Sequence, residues 1–236
     1  MRRKAIAALA IVAGLLAACG GQEAVKGLKT FTEPGTLGGE VASTKRGESA
    51  VLVKGGGAVF VNNAEISRHF SGKAGKAETA GIFVLAGKAV VSNSNLRTDA
   101  AGAAGILVAD EGELEVADSA LATAGEKSPG IETRGRSGIY AWDNIVGTTG
   151  NSSPALLIGR GDGSMTLDGG RFTATGESSP AVRAAGKAWI HAATLTAGKA
   201  EALSLEEGAA LSLYDCNLAG TVPETEEGRK SGAVVF

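Results

Sequence analysis

Aromatic side chains are scarce in this chain of 236 residues: two Trp, two Tyr and six Phe, or 4% of the total. Beside 44% hydrophobic residues and 36 glycines, that scarcity suits a narrow core of Ala, Val and Leu better than a wide globular one. No dense basic run is present and the formal net charge is −2, which argues against nucleic acid as a partner. The apolar stretch Ala5 to Leu15 is too short to span a bilayer comfortably. Only two cysteines occur, Cys19 and Cys216, and no segment shows the 3.6-residue apolar period of a helix.

What the chain does have is internal repetition. A six-residue phrase returns seven times: Val61–Ile66, Val91–Leu96, Val116–Leu121, Tyr140–Ile145, Leu167–Phe172, Ile190–Leu195 and Leu213–Leu218. Its first and last positions are apolar or aromatic throughout. Its third is Asn, Asp or Gly at Asn63, Asn93, Asp118, Gly169 and Asp215, but Trp142 and Ala192 elsewhere. Each phrase lies in a longer unit that opens on a small residue and a branched or Leu one, as in Gly81-Ile82, Gly105-Ile106, Gly130-Ile131, Ala155-Leu156 and Ala181-Val182. The unit is therefore about 25 residues long.

Within a unit the apolar period is two, the signature of a strand. A Gly-bearing turn such as Ala86-Gly87 or Glu111-Gly112 separates the first two strands. The Asn/Asp/Gly position makes a one-residue corner before the third, because those residues tolerate left-handed backbone angles. Three short strands per coil predict an all-β parallel β-helix of about seven coils over 48–236. Its interior columns would be Val59, Ala89, Leu114, Gly138, Met165, Ala188 and Leu211, and the residues that open the phrases. The pattern resembles the right-handed, single-stranded β-helices of the pectate-lyase-like kind and of autotransporter adhesin passengers. That resemblance implies a stacked ladder at the corner, matched by Asn63, Asn93, Asp118 and Asp215 and interrupted at Trp142, Gly169 and Ala192.

Both termini carry signals. Arg2-Arg3-Lys4, the apolar Ala5 to Leu15, and Leu16-Ala17-Ala18-Cys19 resemble the leader and lipobox of a bacterial lipoprotein. The resemblance implies a signal peptide over 1–18, cleavage before Cys19, and acylation of that residue. A multiply acylated Cys19 would hold the exported protein to an outer membrane or to the outer face of the cell membrane, since each buried CH2 contributes about 0.8 kcal/mol. Cys216 then stands alone and no internal disulfide forms. Residues 19–47 show no strand phrase and read as the lipidated Cys and a flexible tether. At the other end Ser231–Phe236 opens an eighth coil: either the solenoid is truncated there, or this strand closes the last coil.

Outward-facing stacks are where function is to be sought. On the second strand the late coils align Asp168, His191 and Tyr214 beside Trp189, a flat apolar surface with hydrogen-bonding groups that suits a glycan. Loop-covered surface residues are the plainer alternative. On the first strand the outward row is Leu52, Phe83, Leu107, Glu132, Leu157, Arg183 and Ser204. Its four apolar members, Leu52, Phe83, Leu107 and Leu157, form either a partner-binding patch or a surface covered by the tether. An enzyme of the pectate-lyase-like kind would need convergent acids for calcium and a base. The acids Asp110, Glu111, Glu113, Glu115 and Asp118 lie along one coil, and no carboxylate pair recurs in adjacent coils. Arg160-Gly161-Asp162 reads as a polar turn. No catalytic residue, metal ligand set or cofactor is assigned. The expectation is a lipid-anchored surface module that binds polysaccharide or a cell-surface protein. A polysaccharide lyase or hydrolase, or its non-catalytic part, and a structural spacer are the alternatives.

Overall fold

A computed structural model describes residues 25–71, 79–222 and 234–235. Every helix-or-strand element among the described residues is a strand, and strands of successive coils pair in parallel. The first strands of the coils form a nine-stranded sheet. Second and third strands form two wings of a fourteen-stranded sheet, joined where Ala58–Arg68 runs unbroken through its corner. The chain is a parallel β-solenoid of about eight turns. One coil serves as the pattern: Ile131–Thr133, Gly138–Trp142 and Ile145–Thr148 pair residue for residue with Leu156–Ile158, Ser164–Asp168 and Arg171–Ala174 of the next.

The additional turn comes from the segment expected to be tether. Lys26–Phe31 pairs with Glu48–Lys54, and Gly35–Ser43 pairs with Ala58–Arg68 across a register shift between Leu37 and Gly39. Among the described residues the first solenoid strand thus starts at Lys26 and not at residue 48. This edge coil buries little, with Leu28 42% exposed, so its sequence carries almost no alternation to read. At the far end Val234–Val235 pairs with Leu203 and Ser204.

The first strands close one side of the core with Val51, Ile82, Ile106 and Ile131 in register, and three further columns come from the second and third strands. The first is Val59, Ala89, Leu114, Ile139, Met165 and Ala188, and the second Val61, Val91, Val116, Ala141, Leu167 and Ile190. The third strands add Ile66, Leu96, Leu121, Val146, Phe172 and Leu195. All are buried. Two expected members change: Ile139 replaces Gly138, and Ala141 replaces Tyr140 as the opening residue of its phrase. The run Ile139-Tyr140-Ala141-Trp142 is apolar at every position, so it offers no contrast to phase. Packing settles the matter, because the columns are narrow and the two large rings turn outward.

The same one-residue shift repairs the corner. Asn63, Asn93, Asp118, Asp143, Ala192 and Asp215 all have φ between 47° and 52°, and Gly169 has 73°. Asp143, not Trp142, therefore occupies the fourth corner. Hydrogen bonds between coils run through the next residue. Ser94 Oγ accepts from Ala64 N, Ser119 Oγ from Ser94 N, and Asn144 Oδ1 from Ser119 N. A second ladder of Ser128, Ser153 and Ser179 does the same where the third strand turns back to the first. Buried backbone donors that no sheet bond can reach are satisfied by the neighbouring coil.

Candidate functional face

Both tryptophans and both tyrosines of the chain stand on one surface, the outer face of the second-strand wing. Register places them in two columns: Tyr140, Thr166, Trp189 and Ser212, then Trp142, Asp168, His191 and Tyr214. They stand on alternate residues of strands whose intervening side chains fill the core, so the buried face fixes their outward direction. Tyr140, Trp142, Trp189 and Tyr214 are 51%, 41%, 44% and 62% exposed.

The rings are ordered against one another. Tyr140 stacks with Trp142 at 6.5 Å between centroids, Trp189 with His191 at 5.6 Å, and His191 with Tyr214 at 5.4 Å. The His191 ring is tied through Nδ1 to Asp168 Oδ1 at 2.6 Å. Asp168, Trp189, His191 and Tyr214 are thus brought together as the strand pattern implies. Tyr140 and Trp142 belong with them, whereas a phase with Gly138 and Tyr140 inside would turn Ile139 and Ala141 to this surface. The signal that could have found them was bulk: the second-strand columns hold Ala, Val, Leu, Ile and Met and no aromatic ring.

Beside Tyr140 the surface dips into a depression of about 450 Å³. Gly138 forms part of its lining, and a Cβ added there would meet nothing within 4 Å. Glu111, Glu113, Glu115 and Asp162 line it, with Lys88 and Arg136 as the cations. Lys88 Nζ donates to Glu115 at 2.7 Å and lies 3.9 Å from Glu113, while Arg136 pairs with Glu111. The hydrogen bond to Glu115 raises the Lys88 ammonium above its ordinary pKa, with the Glu115 charge adding to it. Three acids of the coil that carries Asp110 to Asp118 are therefore ion-paired at the surface. Among the described residues no group of three or more His, Cys, Asp or Glu is arranged to hold a metal ion. Arg160 of the Arg-Gly-Asp turn pairs with Glu206 at 3.0 Å.

The apolar row of the first strands is aligned as expected, Leu52 to Phe83 to Leu107 to Glu132 to Leu157. It is not an open face. Leu52, Phe83 and Leu107 are 2%, 1% and 1% exposed and form a second small core with Ala80, Ala104 and Ala109. Val25, from the expected tether, and Leu85 pack against it, and only Leu157 remains partly exposed. Cys216 Sγ lies 3.4 Å from Ile190 O and 3.3 Å from Tyr214 O. Cys19 and the leader lie outside the described residues.

Compared with protein-family models, with curated proteins and with solved structures, the chain shows no match. The functional reading therefore stands on this face alone.

Chemically the face offers stacking surface, a carboxylate-anchored imidazole and a phenol. An Asp-His pair can move protons, but the neighbours in register are Thr166, Trp189, Ser212 and Tyr214, with no second acid, and among the described residues none of their hydroxyls hydrogen-bonds to the His191 ring. Binding is what such a surface does with least additional machinery.

Proposed function

We propose that the chain is a non-catalytic, surface-displayed glycan-binding module. In this reading it is a right-handed β-helix of the pectate-lyase-like or adhesin-passenger-like kind, held to a membrane through an acylated Cys19. The observation that carries it is the confinement of all four Trp and Tyr residues to one exposed face. In a chain with 4% aromatics, leaving these four in water costs burial that a folding core would otherwise use. The lipobox-like Leu16-Ala17-Ala18-Cys19 supports display on a membrane, from which a rod of stacked coils projects its side face to ligands.

The Asp168–His191 bond favours a second reading, a polysaccharide lyase. Elimination next to a uronate carboxylate requires a cation or strong donors at the charge that develops there. The column around His191 supplies Asp168 and Tyr214 instead, so we rank binding first. A protein partner on a cell surface would use the same aromatic anchors.

Glycan-array binding of purified protein against the double variant W189A/Y214A tests the module. Loss of about tenfold or more in affinity is expected, corresponding to about 1.4 kcal/mol. Unchanged binding overturns the assignment of this face. Incorporation of a labelled fatty acid, abolished in C19A, tests the anchor.

A further inference from the structure

The two columns are continuous across four coils and keep perfect register from Gly138–Trp142 to Ala210–Tyr214. Successive coils advance by about 4.8 Å. That step closely matches the advance per sugar of a fully extended, β-linked pyranose chain. Resting on the glycan-binding reading above, we infer that the ligand is an extended β-linked glycan without acidic groups, lying along the solenoid axis with one sugar per coil.

The contents of the four steps differ in a way such a chain would use. Tyr140 and Trp142 give the first step two rings, Trp189 and His191 the third, and Tyr214 the fourth one ring beside Ser212. The second step is polar, with Thr166 and Asp168. Asp168 Oδ1 is occupied by His191, while Oδ2 makes no hydrogen bond among the described residues and can accept from a sugar hydroxyl. Two ring-bearing steps thus flank a hydrogen-bonding one. A coiled α-linked polymer would leave this straight track after one or two sugars and lose the later rings.

Charge supplies the second half of the inference. Exposed corner carboxylates Asp118, Asp143 and Asp215 border the Trp142–Tyr214 column, and among the described residues none of them forms an ion pair. On the opposite flank the depression beside Tyr140 holds four carboxylates against two cations. Lys187, in register with Ser164, is the one Lys or Arg on the platform strands past Lys88, and Arg171 stands exposed just beyond the Gly169–Gly170 corner, so acids outnumber these cations on both edges. A polyuronate laid on this track would meet like charge along both edges, a repulsion that acts over about 8 Å at physiological salt and further at low salt. A neutral or amino-bearing chain meets hydrogen-bond acceptors instead.

Calorimetric titration of the full chain tests this with four sets of oligosaccharides, each from two to six sugars. The sets are neutral β-linked, amino-bearing β-linked, β-linked uronates and neutral α-linked. Affinity for the first two sets is expected to rise stepwise to four sugars and then level off. Uronates should bind at least tenfold more weakly, and the gap should widen at low salt. T166A/D168A should weaken the four-sugar ligand while leaving the melting temperature unchanged. Tightest binding of uronates or α-linked chains, or a plateau at one or two sugars, overturns the inference and leaves glycan binding standing. Binding of none of the four sets removes both.

Discussion

Asn144 does for its coil what Ser94 and Ser119 do for the two before it. Its Oδ1 accepts from Ser119 N at 3.1 Å and its Nδ2 donates to Val116 O at 2.9 Å, all of it buried. N144A strands both backbone groups and should cost about 1–3 kcal/mol. At about 2–4 °C per kcal/mol for a chain of this size, the melting temperature falls measurably. N144S, which restores the ladder's usual residue, should recover much of the loss. Ala192 presents the opposite case, since its φ of 52° is uncomfortable for a side chain with a Cβ and no local acceptor. A192N, copying Asn63 and Asn93, should raise stability by about 1 kcal/mol in thermal melts. Asp99 sets a pH dependence. Burial pushes its carboxyl up, but the hydrogen bonds from the His69 ring and from Phe70 N–H outweigh that and hold it below the ordinary range. A depressed folded-state value stabilises above the unfolded-state pKa and is lost as pH falls through the folded one. The side chain is 52% exposed, so the contribution is small. Acid titration of stability should be shallower in D99N than in wild type below about pH 4; identical curves would refute the role.

At the scale of strands, legibility followed polarity contrast. Val91-Ser92-Asn93 and Val116-Ala117-Asp118 alternate, and their phase is plain in the sequence. Ile139–Trp142 is apolar throughout, and there the outward rings could not be told from the inward ones without knowing how narrow the interior is. Gly35–Ser43 pairs along its length, yet most of its residues face water, so burial left little imprint on its composition. The glycines were legible as punctuation only. What they do between coils depends on contacts no single coil contains. A Cβ on Gly150 would sit 1.8 Å from Gly125 O, and one on Gly176 would sit 1.9 Å from Gly150 O. Backbones touch at this turn, and G150A should cost about 3 kcal/mol through forced separation of coils. Thermal unfolding near that of wild type would show that the turn can relax.

Over the whole molecule, stability is a sum of coil-to-coil interfaces. Excision of Ile106–Gly130 joins Gly105 to Ile131, residues that are already register equivalents of the junction removed. The shortened chain should keep its parallel-strand circular dichroism, melt earlier, and retain the aromatic face intact. Excision of Ile131–Ala155 should fold equally well but remove Tyr140 and Trp142 and weaken long ligands. The apolar row was legible as a row, open or covered by the tether, but the residues that make its cover were not, because they are distant in sequence, Val25 among them. The candidate face was half legible for the same reason: Asp168, Trp189, His191 and Tyr214 came from alternation, whereas their partners two coils away required the true phase.

The chain's two indoles, Trp142 and Trp189, lie two coils apart on the proposed track, about 10 Å along the axis. Their two side-chain N–H resonances can be followed while an extended four-sugar ligand is titrated. Both should move together with one dissociation constant. Saturable binding that leaves both indole signals unmoved would place the ligand elsewhere and contradict the account.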